Sequence, residues 1–139
     1  MKNWAILIGI NHYDYLKSLK YAERDAELVE DFLKQEAQFD EVFRFSDHSP
    51  NIKRPNRQEI ISKPTQNNLS RFIEQLTDRK KFMQAGDNFW FFFSGHGKRY
   101  NQRDYLMLSD SYPGNVGKTA IAVNDIVESL RNCGASNIV

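Results

Sequence analysis

A chain of 139 residues is the size of one domain with room for a sizeable core, and 40% hydrophobic against 27% charged residues is an ordinary globular balance. A net charge of +1 argues for neither a nucleic-acid binder nor a membrane-surface protein, and no apolar run is long enough to span a bilayer. The single cysteine excludes an internal disulfide framework and a cysteine-rich zinc site, and it fits a reducing, cytoplasmic compartment.

Residues 4–10 (WAILIGI) form a near-continuous apolar run, the pattern of a strand buried on both faces. A short signal peptide is a rival reading, but Asn11-His12-Tyr13-Asp14 stands where a cleavage site belongs. Residues 22–37 carry Ala22, Ala26, Val29 and Leu33 along one helical face, with Leu28 and Phe32 widening the stripe. Residues 41–45 (EVFRF) predict a second, shorter strand. From 46 to 63 the composition turns to Pro, Asn, Ser and basic residues, so an exposed loop is expected, with Lys53, Arg54 and Arg57 as a solvated cluster. Thr65 after Pro64 is the expected N-cap of a helix whose buried stripe is Leu69, Phe72, Ile73 and Leu76. Gly86-Asp87 turns into a strand at 89–93 (FWFFF). Residues 104–109 (DYLMLS) predict a short extra strand, and Pro113-Gly114 marks a turn. Asn124 is the expected cap of a last helix, with Ile126, Val127 and Leu130 facing inward and Gly134 closing it. Residues 136–139 (SNIV) begin a further strand, and a chain that stops two apolar residues into a strand reads as cut.

Strand and helix alternate without internal repeats. This predicts one α/β domain over residues 1–139, with a mainly parallel sheet and helices on both faces. Ligands bind such sheets beyond the carboxyl ends of the strands. The 89–93 strand ends in Ser94-Gly95-His96-Gly97, so it delivers to that edge the side chain suited to proton transfer near neutral pH. The flanking glycines remove bulk and let another chain approach, and the Gly97 N–H is available to a developing oxyanion. The plainer alternative is a turn histidine that only hydrogen-bonds the backbone. Gly117-Lys118-Thr119 looks like the end of a phosphate-binding loop, but Tyr112 stands where the first glycine must be. A nucleotide-binding or receiver-like module needs a glycine-rich turn after the first strand, where His12-Tyr13-Asp14 stands instead.

Ser94-Gly95-His96-Gly97 after an aromatic strand resembles the histidine motif of caspase-like cysteine peptidases, especially metacaspases and their bacterial relatives, the orthocaspases. Residues 4–13 (WAILIGINHY) resemble the family's first strand and the Gly-Ile-Asn-x-Tyr turn after it. Residues 19–26 (LKYAERDA) resemble its next segment, a leucine and, six residues later, Asp-Ala at a helix start. Pro64-Thr65-Gln66-Asn67-Asn68-Leu69 resembles the Pro-Thr-x-x-Asn opening of the helix before the histidine strand. Tyr105-Leu106-Met107-Leu108 and Ala120-Ile121 resemble family segments located after that strand. The likeness runs in order from Trp4 to Val139 and is weakest over 46–63.

The resemblance implies a caspase-like three-layer fold, here ending before the nucleophile strand is complete, and a cysteine endopeptidase cutting after Arg or Lys. His96 would then be the acid–base partner of a cysteine beyond the end of this chain, with the Gly97 N–H in the oxyanion hole. Asp25 would select the cationic side chain before the scissile bond by a charge-assisted pair, and Ser94 would line the same pocket. Ala22 stands where many relatives carry cysteine. Cys133, at a helix end near the buried stripe, reads as a core residue and not as the nucleophile. The implied partners are a peptide or protein substrate and the C-terminal remainder of the catalytic domain, with no nucleic acid and no membrane. No cofactor or metal is expected: family members that bind calcium use acidic residues after the histidine, whereas here 98–103 is basic, only Asp104 and Asp125 remain nearby, and Asn124 replaces a carboxylate. In a protease the basic loop around Lys53, Arg54 and Arg57 would offer self-cleavage sites. The rival within the family is a non-catalytic homologue acting as scaffold or regulator.

Overall fold

The computed structural model describes residues 1–53, 58–78, 86–133 and 137–139. In chain order its elements are β1 (Asn3–Gly9), α1 (Ala22–Asp31), β2 (Glu41–Ser46), α2 (Gln66–Asp78), β3 (Asn88–Ser94), β4 (Gly97–Tyr100), β5 (Arg103–Leu106), α3 (Val116–Thr119), β6 (Ile121–Ala122), α4 (Val123–Asn132) and β7 (Asn137–Ile138). Four strands form a parallel sheet in the order β2-β1-β3-β7, and β4, β5 and β6 form a small antiparallel sheet.

The central place of β1 explains its composition. Trp4, Ile6, Ile8 and Ile10 enter one core with Phe43 and Phe45 of β2, Leu69, Phe72, Ile73 and Leu76 of α2, and Ile126 and Leu130 of α4. Ala5 and Leu7 point the other way, into a smaller cluster with Leu33 and Val29 behind α1. Residues alternate across a strand, so a strand covered on both faces must be apolar throughout. The result is an α/β domain with helices on both faces of a parallel sheet. Gly9 lets α1 lie against the end of β1: a Cβ there would sit 2.5 Å from the Ala22 carbonyl oxygen and 2.7 Å from the Ala26 Cβ.

The α2 stripe is buried as its spacing predicts, and the Thr65 hydroxyl caps the helix by accepting the Asn68 N–H at 3.2 Å. Other expectations need correction. Leu28 and Phe32 do not widen the buried stripe of α1; they are 55% and 57% exposed. The chain over Phe32–Glu36 opens into a wider π-type turn and stops at Gln38, whose φ of 53° is left-handed. The 46–63 segment is not simply exposed: Ile52 and Ile60 form an antiparallel bridge, and buried Ser62 donates its hydroxyl to the Ser49 carbonyl at 2.8 Å. Asn124 is not a cap. The N-cap position is Ala122, already fixed by its ladder pairing with Tyr105, so the helix starts at Val123 and Asn124 falls inside its first turn. Residues 98–100, for which no strand was expected, form β4 together with Gly97, and the strand expected over 104–109 is Arg103–Leu106. Arg54, Arg57, Gly134 and Ser136 lie outside the described residues. Among the described residues, no helix is long and apolar enough to cross a membrane.

Candidate active site

The parallel register lines up Gly9, Ser46 and Ser94 at the carboxyl edge of the sheet. Two residues past Ser94, His96 is half-buried and held at several points. Its backbone N–H donates to the Tyr13 hydroxyl at 2.8 Å, and its carbonyl accepts the Met107 N–H at 2.9 Å. Its ring meets the Tyr13 ring edge-on, centroids 4.8 Å apart. Imidazole Nε2 lies 2.8 Å from the Lys17 carbonyl oxygen. A carbonyl only accepts, so Nε2 carries the proton in this contact and Nδ1 keeps its lone pair. The loop that supplies Lys17 and Tyr13 is itself tied down, by Leu19 N–H to Asn11 O at 2.8 Å and Asp14 N–H to Ser109 O at 2.9 Å.

Beyond His96 the chain turns back as a hairpin. Asn101 and Gln102 have φ of 48° and 63°, so the two-residue connection is a type I′ turn. Tyr100 pairs with Arg103, and the Met107 N–H bond to His96 falls in the same register. Hydrogen-bonded and non-hydrogen-bonded pairs alternate in an antiparallel ladder. Gly97, opposite Leu106, therefore belongs to a non-hydrogen-bonded pair, and its N–H points away from β5.

Asp25 stands exposed in the first turn of α1. Ser94 Oγ donates to Asp25 Oδ2 at 3.3 Å across 69 residues of chain. The fold thus brings Asp25, Ser94, His96 and Gly97 to one edge. Beside them, α1 is anchored by groups that sequence reasoning did not single out. Asn11 Oδ1 accepts the Glu23 N–H at 3.1 Å, and Asp47 Oδ2 accepts the Asn11 N–H at 2.8 Å. Glu23, only 8% exposed, accepts the His48 backbone N–H at 2.9 Å and lies 3.0 Å from His48 Nδ1. The hydrogen bond and charge of Glu23 hold the His48 pKa above the ordinary histidine value. Tyr13 and the Lys17 carbonyl were likewise missed. A buried tyrosine in a turn carries a weak sequence signal, and a backbone contact carries none.

Cys133 lies elsewhere. It is 7% exposed, its thiol donates to the Ser129 carbonyl at 3.2 Å, and burial pushes its pKa up. It ends α4 just before Asn137, which pairs with Asn88 at the amino end of β3. His96 lies past the carboxyl end of that seven-residue strand, so the two sit on the order of 20 Å apart at ~3.3 Å per residue. Asp104 and Asp125 are tied to Arg99 and Arg103, at 3.4 and 2.7 Å. Among the described residues, no group of three or more His, Cys, Asp or Glu is arranged to hold a metal ion.

A family model for the caspase domain matches residues 2–139. The chain belongs to the caspase domain family. Its fold is also that of a solved structure, the crystal structure of a protein, GSU0716, from Geobacter sulfurreducens: TM-score 0.65 at 17% identity, covering 99% of this chain and 49% of that one. The caspase-domain chain therefore spans about half the length of that neighbour. A search of curated proteins matches none. His96 stands at the carboxyl edge of the sheet, the edge at which open parallel sheets generally bind ligands.

Proposed function

We propose that these residues are the N-terminal part of a cytoplasmic cysteine endopeptidase of the metacaspase or orthocaspase type, cutting after Arg or Lys. The observation that carries the reading is the His96 imidazole at the sheet edge, with Nε2 spent on the Lys17 carbonyl and Nδ1 left to work. Nδ1 of His96 takes the thiol proton of a cysteine beyond these 139 residues; the resulting thiolate attacks the substrate carbonyl carbon, and the C=O electron pair moves onto oxygen. The Gly97 N–H, turned away from the hairpin ladder, donates to that oxyanion. When the tetrahedral intermediate collapses, the C–N bond breaks and His96 protonates the departing amine. Water, deprotonated by His96, then hydrolyses the thioester and restores the thiolate. The Asp25 carboxylate, already beside the Ser94 hydroxyl, pairs with the guanidinium or ammonium before the scissile bond.

The test is steady-state cleavage of a matched arginine peptide by the full-length protein and by His96→Ala. Loss of the general acid is expected to lower kcat by a factor of ~10² to 10⁴ with little change in stability. Parental activity in a folded His96→Ala protein would leave the histidine structural and favour the scaffold alternative.

A further inference from the structure

Tyr13 touches His96 twice, once through the backbone and once through the ring. Its hydroxyl oxygen accepts the His96 N–H at 2.8 Å, and the two rings meet edge-on at an interplanar angle of 68°. The tyrosine is only 8% exposed, and burial pushes its pKa up to about 12, so the phenol stays neutral across the working range. There is no slack around it. A Cβ on Gly95 would land on the Tyr13 hydroxyl and come within 2.9 Å of the Phe93 ring. The glycine before the histidine is thus required by the phenol oxygen.

We infer that Tyr13 is a positioning residue for His96, fixing the backbone of the 94–97 turn and the plane of the imidazole so that Nδ1 faces the reacting atoms. The inference rests on the protease reading of His96. The backbone N–H is fixed by the hydroxyl, the ring face by the phenol ring, and Nε2 by the Lys17 carbonyl. Those three constraints leave the imidazole one orientation. Gly95 belongs to the same device, since no other residue admits the phenol so close.

The experiment uses the full-length protein. Tyr13→Phe keeps the ring and removes the hydroxyl. It is expected to lower kcat by about 10- to 100-fold with KM within about 2-fold, because a small misplacement of a reacting group costs rate and not binding. Hydrogen exchange of the His96 amide is expected to accelerate by at least about tenfold, its acceptor being gone. Gly95→Ala should lose activity and stability together. Adding Tyr13→Phe to it should restore part of the stability, since the phenol oxygen is what the new methyl strikes. Parental kcat in Tyr13→Phe, with His96→Ala inactive, overturns the inference and leaves the protease reading intact. Parental activity in His96→Ala overturns the reading beneath it. Should Tyr13→Phe not fold, Gly95→Ala decides: a kcat loss at unchanged KM sustains the inference, and parental kcat ends it.

Discussion

At the scale of single residues, the Asp25–Ser94 contact makes the specificity proposal testable, because it sets the carboxylate against a residue two positions before His96. Removing the carboxylate leaves a cationic substrate side chain without its partner, a loss of roughly 2–5 kcal/mol once the substrate covers the site. Asp25→Ala is therefore expected to lower kcat/KM on arginine peptides by at least about 30-fold, and Asp25→Asn by less, since its amide oxygen still accepts a hydrogen bond. Matched peptides ending in Arg, Lys, Asp or Leu check it, and an undiminished rate on the Arg peptide would remove Asp25 from the pocket. His48 gives a pH prediction. Its folded pKa is raised by Glu23, so its stabilisation is complete below the ordinary histidine value of about 6.5 and fades as pH rises through the higher folded value. His48 is exposed, and the effect is small. The urea midpoint is expected to be higher on the acid side of this range than above it by an increment that His48→Gln removes; an unchanged pH dependence in that variant would assign the slope to other groups.

At the scale of elements, the hairpin after His96 is the least conventional piece. Its type I′ turn puts Gln102 at a φ of 63°, where asparagine-glycine is the favoured pair. A non-glycine residue there costs on the order of 1 kcal/mol. Gln102→Gly should raise stability by about that amount in a urea titration, and a destabilised variant would mean the Gln102 side chain supports the turn. The opposite expectation holds for Gly9→Ala, whose methyl meets the backbone and Ala26 of α1; overpacking of this kind costs about 1–3 kcal/mol. Legibility in the sequence also divides by element. The β1 run was legible because both its faces are buried, and the α2 stripe because the helix has one buried face. The β4 strand was not, because all four of its residues are exposed and leave no alternation to read. The β3 run of five large apolar residues is less buried than its composition implies. Of its residues only Phe89 is fully covered, and Trp90 is 42% exposed. His96, Gly97, Asp25 and Ser94 were readable as candidates, but Tyr13 and Lys17 O became visible only once the turn after β1 was folded over the histidine.

At the scale of the whole molecule, the decisive geometry is the pairing of β7 with β3. Asn137 opposes Asn88 and Ile138 opposes Phe89, in parallel. A strand continuing in that register, at ~3.3 Å of rise per residue, brings a residue opposite Ser94 about four positions beyond Val139, on the edge past which His96 stands. On the proposed mechanism, the nucleophilic thiol belongs at or just past that point. Cys133 cannot take its place: it sits a strand's length away at the opposite edge, buried, with its thiol on the Ser129 carbonyl and its pKa pushed up, where a working nucleophile needs it lowered. A polypeptide of these 139 residues is accordingly expected to show no amidase activity on arginine or lysine peptides, with reductant or with calcium. In the full-length protein, Cys133→Ser is expected to leave kcat within about 2-fold of the parent, the change being one buried atom far from the reaction. Rate measurements on both proteins decide the matter. Turnover by the 139-residue polypeptide that survives purification and vanishes on Cys133→Ser would move the active site to the amino edge of the sheet, and His96 would lose its role.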